Sequence, residues 1–167
     1  MTRPSFRGLS LLGFLACAGG LAFALFLQHV KNYEPCPMCI FQRIAMLGVG
    51  VLFLLGALHG PRGGGRWAYA LLVAAAAVAG GSNAARQVWL QSLPADQVPS
   101  CGPTLDYLLK IMPLQKVVAY MFKGEGSCAK IDAQWLGISL PEWTLFAFVG
   151  MVLFALAMPL LARRGAR

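Results

Sequence analysis

The stretch "PCPMCIFQR", residues 35–43, sets Cys36 and Cys39 in a C-x-x-C pair and Arg43 four residues beyond the second, where a long apolar run begins. Two thiols at this spacing can form, break and exchange a disulfide, and a nearby cation favours the thiolate that acts as nucleophile or electron donor. Pro37 suits the first position of a helix, where its missing N–H costs nothing. That predicts Cys39 in the first turn, facing unpaired backbone N–H groups and the positive end of the helix dipole. Arg43, at i+4, returns on the same face. Cys39 is therefore expected to be the ionised cysteine, and Cys36, nearer solvent, the one that exchanges with other thiols. A guanidinium here could donate hydrogen bonds to a carbonyl oxygen of a lipid-soluble oxidant and stabilise the charge it gains on reduction. The other reading of Arg43 is an anchor that snorkels to a membrane interface.

Composition says what must position these groups. The chain has 167 residues, 58% hydrophobic and only 12% charged, a balance that soluble domains of this length rarely show. Four apolar stretches, about 9–27, 40–58, 67–90 and 143–161, approach or exceed the roughly 18–20 residues needed to cross a bilayer. Arg3 and Arg7 before the first stretch and "AFA" near its end imitate a signal peptide. The apolar core is too long for that, so it is read as an uncleaved span. The expected fold class is an all-α membrane protein: a four-transmembrane-helix bundle forming a single domain over 1–167, with outer loops at about 28–39 and 91–142.

Charge orients the bundle. Arg3, Arg7, Arg62, Arg66, Arg163, Arg164 and Arg167 fall on one side with no acid, whereas Glu34, Asp96, Asp106, Glu125, Asp132 and Glu142 fall on the other. By the positive-inside rule both termini are expected in the cytoplasm. The net charge of +8 is then largely topological, and no basic stripe with interleaved aromatics suggests a nucleic-acid partner. Trp67 and Tyr69 would mark the inner interface, and Tyr33, Trp89 and Trp143 the outer one. The long outer segment 91–142 is too long for an idle connection. Within it "LQKVVAYMF" places Leu114, Val117, Val118, Met121 and Phe122 on one helical face. This short amphipathic helix is read as lying flat in the membrane interface, the alternative being packing against the outer ends of the spans.

Of five cysteines, Cys36, Cys39, Cys101 and Cys128 fall in the outer segments and Cys17 within the first span. An oxidising outer compartment permits disulfides, and the natural pairs are Cys36 with Cys39 and Cys101 with Cys128. A dithiol at a membrane boundary can pass two electrons to an oxidant dissolved in the bilayer, and a quinone fits that description. There is no GxGxxG, no haem C-x-x-C-H, since Ile40 follows Cys39, and no HExxH. His29 and His59 lie at opposite ends of different spans, so no metal site is expected.

These features together resemble the DsbB family, the bacterial inner-membrane quinone reductases that reoxidise the periplasmic thiol oxidase DsbA. The resemblance runs over nearly the whole chain: four spans, C-x-x-C with Arg at +4 in "CPMCIFQR", "VWLQSLP" closing the third span, Cys101 in "SCGP", Cys128 in "GSCAK", and "LGISLPEW" opening the fourth. It implies that a reduced DsbA-like partner of thioredoxin fold attacks Cys101, whose internal mate is Cys128. Electrons then pass to Cys36 and Cys39 and on to ubiquinone or menaquinone of the membrane quinone pool, with Cys39 against the ring and Arg43 on a quinone oxygen. The flat helix would keep the mobile loop near the bilayer. One position departs from the family, which often has a histidine just before "VWLQ". Here Gln87 stands there, preceded by Arg86. A histidine could help protonate the reduced quinone, and glutamine cannot do so by titration. Either Arg86 and Gln87 serve only to hydrogen-bond the quinone, or protons arrive through water. Cys17 matches no catalytic position and reads as a small buried residue.

Other functions fit less of the pattern. A four-cysteine zinc site usually has two close pairs, whereas 26 residues, 102–127, separate Cys101 from Cys128. A purely structural disulfide there would contribute roughly 3–4 kcal/mol but should resist exchange. A metal-handling channel is disfavoured by spans without acidic residues. A vitamin K epoxide reductase type of enzyme would share the chemistry but place its quinone-facing pair late in the chain.

Overall fold

Ser5 starts the first helix. Its backbone is extended and its side-chain oxygen accepts from the Gly8 N–H at 3.1 Å, capping α1 (Phe6–Val30) and satisfying a donor left open at a helix start. In this computed structural model, which describes residues 5–163 except 34, 95, 101, 103, 104, 125, 132 and 133, α1 is followed by α2 (Pro37–His59) and α3 (Gly65–Gln91). Asn32, at φ 54°, takes the chain out of α1 through the left-handed region, which asparagine enters more readily than most residues. Gly60, at φ 58°, ends α2 in the same region. Only glycine suits that place for a second reason, because a Cβ there would run into the Arg7 guanidinium.

The segment after α3 has structure of its own. It contains α4 (Leu105–Ile111), α5 (Leu114–Lys123), α6 (Gly126–Ala129) and a small hairpin of β1 (Gln134–Trp135) and β2 (Ile138–Ser139), and leads into α7 (Leu140–Arg163). The strands are antiparallel, pairing Gln134 with Ser139 and Trp135 with Ile138. Leu136 and Gly137, both at positive φ (56° and 79°), make the tight turn that suits a two-residue hairpin. This hairpin is an addition to the all-α expectation; its strands are too short to leave a readable alternation in the sequence. Glu142 then accepts from the Ser139 N–H at 2.6 Å at the start of α7, where a carboxylate also meets the positive helix end.

Four of the helices, α1, α2, α3 and α7, are long and apolar enough to cross a membrane. Each runs one to three residues past its apolar stretch at either end. Gln28, His29 and Val30 remain in α1, and Leu140 to Glu142 already belong to α7, because hydropathy marks the hydrocarbon part of a helix and not its capped ends. Large apolar side chains such as Leu12, Leu15, Leu47, Leu55 and Leu153 face outward, the arrangement expected of a surface solvated by lipid.

Small residues bring the helices together. Ala70, Ala77, Gly80, Gly81 and Ala84 lie buried along α3, letting neighbouring backbones approach closely where no hydrophobic force drives helices together in lipid. A Cβ on Gly80 would collide with the Phe148 ring of α7 and come within 2.9 Å of the Ala45 Cβ of α2. Gly80→Ala is therefore expected to destabilise the bundle by about 1–3 kcal/mol through overpacking, read as a lower unfolding midpoint in detergent. Gly48→Ala, where nothing lies within 4 Å of the added Cβ, is the control, and equal midpoints for the two variants would contradict the packing described. Cys17 is buried at a similar contact: its Cβ would lie 3.2 Å from a Cβ on Gly50, and its sulfur is 3.9 Å from that of Met151.

In the bundle α1 packs on α2, α2 on α3 and α3 on α7, while α7 and α1 meet most loosely. At the cysteine-bearing end the hairpin leans on α1, with the Trp135 ring stacked on Phe23 (centroids 5.9 Å apart, 12° between planes). Helix α5 uses part of its apolar stripe on the bundle: Val117 is buried with Leu108 against Phe41 of α2, while Leu114 is exposed.

Candidate redox site

The local sequence sets the first two sulfurs. Cys36 is the N-cap of α2, Pro37 its first residue, and Cys39 lies in the first turn, as the spacing predicts. The Cys36 thiol donates to the Cys39 sulfur at 3.0 Å. Cys128 reaches the same place from α6: it is buried in a small cluster with Met38 and Leu90, against which Cys36 packs, and its side chain hydrogen-bonds with that of Cys36. Three sulfurs therefore meet where α2, α3 and α6 come together. Cys101 lies outside the described residues.

Hydrogen bonding to Cys128, then to Cys39, together with burial, holds the Cys36 thiol well above the usual cysteine range. A raised pKa keeps the thiol neutral while pH climbs through the region where an exposed cysteine ionises, about 8.5, and only the thiolate alkylates quickly. In fully reduced protein, peptide-mapped labelling by iodoacetamide is expected to reach Cys36 slowly at mildly alkaline pH and to accelerate only well above it. Labelling as fast as that of an exposed cysteine would contradict this environment.

A buried amide from α3 holds the cluster. Gln87 Nε2 donates to the sulfurs of Cys36 (3.2 Å) and Cys39 (3.4 Å) and to the backbone carbonyl of Cys128 (3.5 Å). Its Oε1 accepts from Nε2 of Gln42 at 2.8 Å. One turn earlier, Asn83 Nδ2 donates to the Met38 carbonyl at 3.0 Å, pinning the first turn of α2. Gln87 thus faces the sulfurs, whereas Arg86 does not join them: its guanidinium sits 4.0 Å over the Trp89 ring.

Arg43 points the other way, toward α1. It donates to Gln28 Oε1 and, at 3.2 Å, to the Ala24 carbonyl. These contacts fix the plane of the guanidinium at the wall of a cavity of about 280 Å³ lined by residues of α1, α2, α3 and α7. Cys39, Arg43 and Gln87 line it together with apolar side chains such as Leu21, Phe23, Leu27 and Met46. An apolar slot with a planar cation and both thiols of the C-x-x-C pair in its wall fits a flat, lipid-soluble ring bearing carbonyl oxygens.

The sequence reading does not single out Gln42, Gln28 or Asn83. A signal exists for Asn83, which lies four residues before Gln87 on one face of an otherwise apolar helix, the pattern of a polar pair facing a bundle interior. Gln28 carries no such signal, because a glutamine at a helix end is equally at home in water.

A family model described as Disulfide bond formation protein DsbB matches residues 6–158. The chain belongs to the DsbB family. The matched region takes in all five cysteines as well as Arg43, Arg86 and Gln87. Three relatives named Disulfide bond formation protein B agree. One from Xanthomonas campestris pv. campestris (strain 8004) is 52% identical over 92% of this chain and 90% of its own length. Another from Hahella chejuensis is 49% identical over 86% of this chain and 87% of its own. A third from Xanthomonas oryzae pv. oryzae is 48% identical over 97% and 95%. With four membrane-competent helices, this is a multi-pass membrane protein of a DsbB family of disulfide-generating oxidoreductases.

Proposed function

We propose that the whole chain, 1–167, acts as one unit in a bacterial inner membrane, both termini cytoplasmic, and that it oxidises a periplasmic DsbA-like protein of thioredoxin fold at the expense of a membrane quinone. The observation that carries this reading is the meeting of Cys36, Cys39 and Cys128 beside an apolar cavity walled by Arg43.

The sulfur chemistry balances as a series of thiolate attacks. A thiolate of the reduced partner attacks Cys101, forming a mixed disulfide and releasing Cys128. Cys128 attacks Cys36 of the Cys36–Cys39 disulfide; a Cys36–Cys128 bond forms and the electron pair leaves on Cys39. The partner's second thiolate closes its own disulfide and frees Cys101, which attacks Cys128, restores the Cys101–Cys128 pair and releases Cys36. Both electrons then reside on Cys36 and Cys39. When bound, ubiquinone or menaquinone supplies the acceptor of two electrons and two protons. Arg43 would hold a quinone oxygen with its planar donors, Cys39 lies in the same cavity wall, and the Cys36 thiol holds a proton at its sulfur. The apolar walls exclude water, which strengthens each of these contacts.

The test is stoichiometric. Purified protein in detergent, without oxygen, receives a reduced DsbA-type oxidase and a short-chain ubiquinone in one arm or menaquinone analogue in the other. One quinone lost per partner disulfide formed is the expected result in at least one arm. Partner oxidation without quinone loss, or no oxidation in either arm, would overturn the reading.

A further inference from the structure

We infer that Gln87, with its amide oriented by Gln42, is a positioning residue for the sulfur-to-sulfur exchange between Cys128 and Cys36, a role that rests on the proposed function and goes beyond it.

Four contacts made by one side chain carry the inference. Gln87 is buried, with 2% of its surface exposed, so its amide groups must find partners inside the protein. The oxygen accepts from Gln42 at 2.8 Å and, more weakly, from the Cys39 thiol at 3.7 Å. With Gln42 presenting an N–H, the Gln87 oxygen is the atom that can accept it. The Gln87 NH2 is left to meet both sulfurs of the C-x-x-C pair and the carbonyl of Cys128.

Those are the groups that change in one step. As the Cys128 thiolate attacks Cys36, the Cys36–Cys39 bond breaks, the Cys36–Cys128 bond forms, and the electron pair departs with Cys39. An N–H aimed at the Cys39 sulfur stabilises the departing thiolate, since hydrogen bonds to charged groups are the stronger ones. The same amide, through the Cys128 carbonyl, holds α6 over Cys36, so that nucleophile and target are already together. Gln87 carries no titrating group, so its contribution is placement and hydrogen bonding, not proton transfer.

The experiment follows the exchange without quinone. Full-length protein with both disulfides formed is mixed in detergent with a reduced DsbA-type oxidase, quenched in acid at intervals, and mapped by mass spectrometry. Two products are timed: the mixed disulfide of the partner with Cys101, and the Cys36–Cys128 linkage. In Gln87→Leu the first is expected to form at the wild-type rate and the second to slow by about 10- to 100-fold, the size of a lost hydrogen bond to a charged group. Gln42→Glu guards against a variant that fails to fold. It keeps the size of the side chain but offers only acceptors when ionised, so the Gln87 amide turns over and presents its oxygen to the sulfurs; the same selective slowing is expected. Gln42→Met, which fixes neither orientation, should slow the linkage less than Gln42→Glu.

Formation of the Cys36–Cys128 linkage at the wild-type rate in both Gln87→Leu and Gln42→Glu would overturn the inference, as would equal slowing of both products. Wild-type protein that forms neither product would instead overturn the proposed function itself.

Discussion

Cys39→Ala is expected to end quinone reduction while leaving the partner able to attack Cys101. The reason lies in the geometry of the pair. Cys36 has one bonding partner within its own turn, the Cys39 sulfur at 3.0 Å, and without it there is no disulfide for Cys128 to attack and no second thiol to hold the electron pair. Residues that act as a unit lose nearly everything when one is removed, so turnover should fall on the order of 10⁴-fold or more. Stopped-flow loss of quinone absorbance with reduced partner gives the rate, and trapped mixed disulfide gives the first step. Turnover in Cys39→Ala within tenfold of wild type would exclude Cys39 from electron transfer.

The second large effect is expected at Arg43. Its guanidinium is fixed by Gln28 and the Ala24 carbonyl and stands in the cavity wall, in position to stabilise charge that develops on a carbonyl oxygen. Removing one such donor commonly costs about 10²–10³-fold in turnover, and Arg43→Ala should fall in that range. Arg43→Lys keeps the charge but loses the planar fork, so an intermediate rate is expected. Because Arg43 also ties α2 to α1, Gln28→Met is the necessary companion: it removes one anchor while leaving the cation, and should cost far less. Normal quinone turnover in Arg43→Ala would take that residue out of the site, and equal losses in Arg43→Ala and Gln28→Met would reduce it to a tie between helices.

The spans were legible in the sequence because bilayer thickness imposes a length on apolar stretches, and the N-terminal position of Cys39 followed from Pro37 alone. Helix ends were less so. Gln28 to Val30 and Leu140 to Glu142 are held helical by capping and packing, to which hydropathy is blind. The hairpin at 134–139 depends on two positive-φ turn residues, Leu136 and Gly137, of which only glycine advertises that conformation. Of the two readings of α5, the inward contact of Val117 with Phe41 belongs to packing against the outer end of a span, a contact between segments far apart in the chain that no spacing encodes.

The site divides in the same way. The C-x-x-C pair and Arg43 are local features, all within residues 36–43, and are legible in the sequence. The meeting of Cys128 with Cys36, and of Gln87 with both sulfurs, is tertiary, and no spacing encodes it. Gln87 was read as a quinone ligand because its neighbours in sequence match a quinone-facing stretch. Its burial and its contacts with both sulfurs add the thiols to the cavity that it also lines. Arg86, one residue earlier, projects from a different side of α3 and stacks on Trp89, as a turn of 100° per residue requires.

The central claim, two exchanging cysteine pairs drained by a quinone, is tested most directly by counting thiols. Fully reduced, metal-free protein in detergent carries five cysteines, and is titrated before and after addition of a soluble quinone analogue without oxygen. A fall from five thiols to one, matched by formation of two quinols, is expected, with Cys17 the thiol that remains. If all five stay reduced in the presence of quinone, and added zinc shields four of them from labelling, the oxidoreductase reading is contradicted and the cysteines form a metal site.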